Sequence, residues 1–186
     1  MQDEQAVSAV AASKRQWRDR LRTVRRERSA QEILAARNAV CAHVLARWAE
    51  QGWTCVAAYV PLRTEPGSVE LLDGLLGRGV RVIVPITLPD RDLDWAPWSS
   101  QGLGDALGTD AVAAASAVLV PACAVARDGT RLGRGGGSYD RALPRTRTGT
   151  PRVALLFDEE IVDSLPHDKW DAPVTAVVRP AGWTDL

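Results

Sequence analysis

Five short apolar runs decide what this chain can fold into. They occupy 54–60 (Thr-Cys-Val-Ala-Ala-Tyr-Val), 80–86 (Val-Arg-Val-Ile-Val-Pro-Ile), 117–121, 152–157 and 174–178. Runs of this length, apolar at nearly every position, are strands buried on both faces. Between the first two lies a helix over 69–76, with Ser68 as N-cap and Glu70 in its first turn. Strand, helix, strand with short links is a parallel, right-handed βαβ unit. Longer helices are predicted over 13–28 and 30–51. The second shows a core stripe of Val40, Cys41, Val44, Leu45 and Trp48, and Gly52 ends it. Short helices are predicted at 110–115 and at 158–162, the latter with Asp158 as N-cap. Residues 92–98 read as an edge strand, because Pro97 restricts pairing. The expected fold is α/β: one domain over 1–186, a mostly parallel sheet with helices on both faces, three layers in all, with 1–12 loose. In such sheets ligands sit outside the carboxyl ends of the strands.

Composition narrows the class. Of 186 residues, 46% are apolar and 25% charged, which suits a soluble globular domain. Cys41, Cys55 and Cys123 each lie in an apolar run and are too scattered for a disulfide frame or a zinc site. They read as buried free thiols in a reducing compartment, so a cytoplasmic location is expected. No apolar run is long enough to span a bilayer, and no membrane role is expected. Net charge is zero but uneven: 13–28 holds eight Lys/Arg and two Asp/Glu, a local +6.

The most unusual stretch is Gly129-Thr-Arg-Leu-Gly-Arg-Gly-Gly-Gly-Ser-Tyr-Asp-Arg141, with five glycines between Gly129 and Gly137. Three consecutive glycines are costly to order, and the cost is accepted where φ must be positive or where something approaches the backbone. Successive N–H groups in such a loop can form an anion nest. Ser-Tyr-Asp-Arg-Ala-Leu then reads as a helix start, a second feature that favours phosphate. Arg131 and Arg134 add positive charge. The pattern is neither the Walker loop nor the dinucleotide fingerprint. A plain flexible connector is the other reading, but a connector has no need of two arginines and a helix start.

On the first helix, Val10, Trp17, Leu21 and Val24 share one stripe, with Lys14, Arg18, Arg22 and Arg25 on the adjoining one. The basic residues should therefore flank the buried face, laying their stems on the body and sending their heads toward a neighbouring site. By composition alone a solvated basic face is the favoured reading. A nucleic-acid-binding helix is a further class, opposed by the buried Trp17 and Leu21 and by the absence of an aromatic platform.

The segment Arg131-Leu-Gly-Arg-Gly-Gly-Gly-Ser-Tyr-Asp140 resembles the Arg-Leu-Gly-x-Gly-x-Gly-x-Tyr-Asp signature of the 5-formyltetrahydrofolate cyclo-ligases, also called 5,10-methenyltetrahydrofolate synthetases. Lys14-Arg-Gln-Trp-Arg18 is similar to the family's Lys-x-x-x-Arg on an N-terminal helix. Glu65 falls in a loop like the one whose Glu contacts folate, and Asp171 falls where the family places a magnesium-holding Asp before the last strand. The resemblance spans roughly 14–178. It departs at Val125-Ala126 (often Phe-Asp), Gly136 (Lys in some members), Ser138 (often aromatic) and Trp170 (often His).

What the resemblance implies is specific. The fold would be the cyclo-ligase fold, related to the ribose-phosphate isomerase and coenzyme A transferase group. ATP would be bound by Lys14, Arg18, Arg131, Leu132, Gly133, Arg134, Gly135, Gly136, Gly137, Ser138 and Tyr139. Folate would touch Val60, Glu65, Arg134 and Tyr139. Asp140 and Asp171 would hold Mg2+, and Arg134 would be the catalytic cation. The activity would be ATP-dependent cyclisation of 5-formyltetrahydrofolate, with or without a polyglutamate tail, by a monomer. A paralogue that keeps ATP binding without cyclo-ligase activity is the alternative, motivated by the departures at Ala126, Ser138 and Trp170.

Overall fold

The computed structural model describes residues 2–186, with side chains from Ser8 onward. Helix α1 (Gln2–Glu27) is followed by α2 (Ala30–Gln51). A capping box fixes the start of α2: Ser29 Oγ accepts from Glu32 N, and the Glu32 carboxylate accepts from Ser29 N at 2.7 Å. Its end is set by Gly52, whose N–H donates to Trp48 O at 2.8 Å. The first βαβ unit is β1 (Cys55–Ala57), α3 (Val69–Leu76) and β2 (Arg81–Thr87), with Ser68 Oγ capping Leu71 N. Then come β3 (Leu93–Ser99), β4 (Gly102–Leu103), a 3-10 helix Thr109–Ala114 and β5 (Ala117–Pro121). Strands β6 (Ala124–Ala126) and β7 (Arg131–Leu132) lead into α4 (Ser138–Ala142). The chain closes with β8 (Arg152–Leu155), β9 (Ile161–Val162), β10 (Ala176–Arg179) and β11 (Gly182–Asp185).

Eight strands form one sheet in the order β11-β10-β8-β5-β1-β2-β3-β4. The centre from β10 to β2 is parallel; β11, β3 and β4 are antiparallel additions at the two edges. From β1 the chain passes to β2 on one side and later returns to β5 on the other. That reversal opens a crevice between the carboxyl ends of β1 and β5, where such sheets bind ligands.

Alternating side chains divide the core. Val56, Val82, Val84, Leu119, Val153 and Leu155 meet Val40, Val44, Leu71, Leu72 and Leu75 of α2 and α3. Ala57, Ile83, Val118, Val120 and Ala154 point to the other face, against Trp95, Val112, Ala142 and Leu143. That second layer is made of short helical turns instead of long helices. Beside it a small sheet, β7-β6-β9, receives α1: Leu21 and Trp17 pack with Cys123, Ala124, Ala126, Leu132 and Leu165.

Four expectations change. Helix α1 starts at Gln2, not near Ser13. Strand β3 is not the edge, because β4 pairs outside it. At 158–162 there is no helix capped by Asp158. A 3-10 turn, Asp158–Glu160, is capped by Phe157 and continues as β9. The cause is Glu160, whose carboxylate turns inward to accept from Phe157 N at 2.9 Å and from Arg25. Finally, of the four stripe cations of α1, Arg18 and Arg22 flank the Trp17/Leu21 face as expected and reach the glycine loop, whereas Lys14 and Arg25 join the buried face itself. Lys14 and Arg25 are 8% and 6% exposed, as covered as Leu21 at 7%. Arg25 Nε and Nη2 donate to the two Glu160 oxygens at 2.6 and 2.7 Å, and Nη2 donates to Ala122 O at 2.8 Å. Arg28 pairs with Glu159 and lies 4.0 Å from the Phe157 ring centroid.

Burial works against the Arg25 cation, but the hydrogen bonds and charge of Glu160 outweigh it and raise the guanidinium's pKa. Removing one member of such a pair leaves the other desolvated. Glu160→Gln should therefore lower stability by about 3–5 kcal/mol, read as a shift in the urea midpoint. A loss below ~1 kcal/mol would show that α1 docks without this pair.

Candidate active site

A cleft of about 880 Å3 opens at the β1/β5 crevice. Every residue singled out from the sequence borders it: Lys14, Arg18, Val60, Glu65, the run Arg131 to Asp140, and Asp171. They come from four separate parts of the chain, and the fold brings all of them together.

The glycine loop leaves β7 at Gly133 and enters α4 at Gly137. Gly135 has φ 105, a conformation that L side chains rarely adopt, and a Cβ there would press on the Arg18 guanidinium at 3.4 Å. Gly129 serves a different need. With φ 86, a Cβ would come within 2.6 Å of Val174 O, so only glycine lets the loop lie against the segment before β10. Helix α4 has five residues and Gly137 makes no side-chain cap. It offers little dipole, so the positive field of the site comes from side chains.

Those cations are held by acceptors. Arg18 Nε donates to Gly133 O at 2.8 Å, and Arg22 Nη2 to Arg134 O at 3.3 Å, so α1 braces the loop from outside. Arg131 lies beneath it, 5% exposed, donating to Asp140 Oδ1 at 2.5 Å. Arg134 crosses the cleft and donates through Nη2 to Glu65 Oε1 at 2.6 Å. Glu65 is 3% exposed and also accepts from Leu62 N at 2.8 Å. Arg25 stands 3.9 Å behind it. Lys14 bonds Asp168 at 3.0 Å and Asp171 as well.

Asp168 and Tyr59 line the cleft without having been anticipated, and Trp170, expected only as a departure from the family pattern, lines it too. The pair Asp168/Asp171 has a readable signal, two carboxylates three apart before a strand; Tyr59 has none, being one apolar-run residue among many. Burial pushes the phenols of Tyr59 and Tyr139 up, so both stay neutral donors near neutral pH. The Tyr139 hydroxyl and Arg131 Nε are buried without a partner among the described residues, although both residues line the cleft with other atoms. Burial likewise raises the Cys123 thiol, which makes it an inert core group.

Asp140 and Asp171 can be tested as metal ligands. Among the described residues no cluster of three or more His, Cys, Asp or Glu could hold an ion by itself. Mg2+ does not ask for one: it takes one or two carboxylates, keeps waters and uses substrate phosphates. Asp140 engages Arg131 and Ala172 N through Oδ1; Asp171 engages Lys14 and Asp168 N through Oδ2. Each keeps one oxygen without a protein donor among the described residues. The donor set fits a Mg2+ carried in with phosphates.

Fold and cleft together define an α/β domain with an arginine-flanked glycine loop at a sheet switch point. Residues 10–180 match the 5-formyltetrahydrofolate cyclo-ligase family. The chain is 37% identical over 141 residues to the 5-formyltetrahydrofolate cyclo-ligase of Mycolicibacterium smegmatis, covering 67% of this chain and 73% of that one. It is 40% identical over 65 residues to the cyclo-ligase of Escherichia coli K12, covering 34% of this chain and 36% of that one. Among solved structures, the 5,10-methenyltetrahydrofolate synthetase of Mycoplasma pneumoniae superposes with TM-score 0.78 at 19% identity, over 90% of this chain and 99% of its own. The synthetase of Aquifex aeolicus gives TM-score 0.75 at 22% identity, over 93% of this chain and 92% of its own. The chain belongs to the 5-formyltetrahydrofolate cyclo-ligase family, and that is a family of enzymes.

The loop before β10 yields a pH prediction. The Trp170 backbone N–H and then Lys14 hold the Asp168 carboxyl below its ordinary range. Its contribution to stability is therefore complete above the unfolded value of about 3.9 and is lost as pH falls through the lower folded value. Asp168→Asn should be less stable than wild type at pH 7, and the gap in urea midpoint should narrow at about pH 3 and below. A gap independent of pH would contradict the assignment.

Proposed function

We propose that this protein catalyses the ATP- and Mg2+-dependent conversion of 5-formyltetrahydrofolate to 5,10-methenyltetrahydrofolate, with ADP and phosphate as the other products. The observation that carries the reading is the Arg134–Glu65 contact of 2.6 Å, between residues 69 apart in sequence. It joins a cation-rich glycine loop, suited to a triphosphate, to a buried carboxylate with apolar neighbours Val60, Val84 and Leu93, suited to a pterin.

The formyl oxygen attacks the γ-phosphorus, the bond to ADP breaks, and an imidate phosphate forms at N5. N10 of the same molecule then attacks the formyl carbon. The C–O bond breaks, phosphate leaves with the formyl oxygen, and N10 loses its proton to give the methenyl bridge. Lys14, Arg18 and the loop N–H groups position the triphosphate, and the Arg131 guanidinium backs the loop. Arg134 exchanges Glu65 for the transferring phosphoryl oxygens, leaving Glu65 to accept from the pterin N–H donors. When bound, Mg2+ at Asp140 and Asp171 would neutralise phosphate charge.

Three thiols stand free, and among the described residues no helix is long and apolar enough to cross a membrane. The reading adopted is a monomer working in a reducing cytoplasm on a small-molecule substrate.

Purified protein with 5-formyltetrahydrofolate and MgATP should build the methenyl absorbance band, and omission of ATP should abolish it. Arg134→Ala should lower kcat by roughly 100-fold or more, the scale for losing a positioned charge in the transition state. Glu65→Gln should chiefly raise KM for the folate. Tight MgATP binding by a wild type that forms no methenyl product would instead mark an ATP-binding paralogue.

A further inference from the structure

The cleft carries a large aromatic side chain at its surface that none of the assigned roles uses. Trp170 lines it and is 74% exposed, more than any other large hydrophobic side chain among the described residues. Lys169 Nζ lies 4.8 Å from the centroid of its ring, and the indole surface that stays open at the mouth of the cleft is suited to stack on a ring. The backbone under it is fixed. Trp170 N donates to Asp168 Oδ1 at 2.9 Å, Asp168 N to Asp171 Oδ2 at 2.9 Å, and Asp171 N to Asp168 O at 3.1 Å. Both carboxylates of that turn bond Lys14. The indole is thus presented, on a rigid turn, at the Lys14 end of the cleft. Glu65 marks the other end, tied to Leu62 and Arg134.

We propose that Trp170 forms the nucleobase subsite: the adenine of ATP lies on its indole while the triphosphate runs past Lys14 to the glycine loop. This rests on the ATP reading above and assigns the part of ATP that reading leaves unplaced. The location selects the ligand. The neighbours of Trp170 in the turn are phosphate- and Mg2+-directed groups, so a ring bound there belongs to the nucleotide and not to the pterin. Stacking uses the π-face that every base has, so guanine should be held nearly as well as adenine.

Calorimetric titration of the full-length protein tests this with two probes, MgATP and magnesium tripolyphosphate. Trp170→Ala should weaken MgATP by roughly ten- to hundredfold, the range for losing one base–aromatic stack. Trp170→Phe should recover most of it, and tripolyphosphate should bind wild type and both variants alike. Equal MgATP affinity in wild type and Trp170→Ala would overturn the proposal. So would a parallel loss for ATP and tripolyphosphate, since that means the tryptophan only shapes the turn. A wild type that binds tripolyphosphate as tightly as ATP would keep the phosphate site and remove the base subsite. A wild type that binds neither probe would remove the ATP reading and this proposal together.

Discussion

Arg25 and Glu160 meet with almost no water around them, and the position of α1 follows from that contact. The two carboxylate oxygens take two guanidinium nitrogens at 2.6 and 2.7 Å, and a third bond reaches Ala122 O. A buried pair of this kind is not an efficient source of stability compared with apolar packing, but it is exacting about geometry. Here it fixes the rotation of a helix whose inward face mixes Trp17 and Leu21 with Lys14 and Arg25. Once Arg25 is seated, Lys14, Arg18 and Arg22 are carried round to the same side and arrive at the loop before β10 and at the glycine loop. One ion pair at the small sheet thereby aligns a row of cations along the cleft.

Three of the cations that line the cleft are paired with carboxylates. Lys14 is matched by Asp168 and Asp171, Arg131 by Asp140, and Arg134 by Glu65. Such pairing keeps long side chains ordered and lowers the reorganisation needed when a polyanion enters, because each cation exchanges one set of oxygens for another. The pairs also lie at different depths. Arg131 is buried under the loop, whereas the Arg134 side chain is 45% exposed. The first is built as scaffold; the second has room to move onto a reacting group.

The parallel core was legible because its strands are continuous apolar runs, a pattern that does not depend on what packs against them. The glycine loop was legible because Gly135 and Gly129 answer local backbone needs, and local needs leave local signatures. The small sheet was not, since β6, β7 and β9 have two or three residues each and show no period. The burial of Lys14 and Arg25 departs from the stripe expectation for a physical reason. The stripe rule assumes an apolar partner, and α1 docks on Glu160, Asp168, Asp171 and the Gly133 carbonyl, a surface that selects Lys and Arg. The same inward Glu160 turned the expected helix at 158–162 into a 3-10 turn and a strand. Both errors come from one buried carboxylate whose partner lies 135 residues away.

The central claim is that α1 belongs to the ligand site as well as to the scaffold. Amide hydrogen exchange along the chain, with and without saturating MgATP, tests it directly. The account predicts that amides between Lys14 and Arg25 slow together with those of Gly133 to Gly137, because the same cations would hold both the loop and the triphosphate. Protection confined to the glycine loop, with α1 exchanging as before, would contradict it.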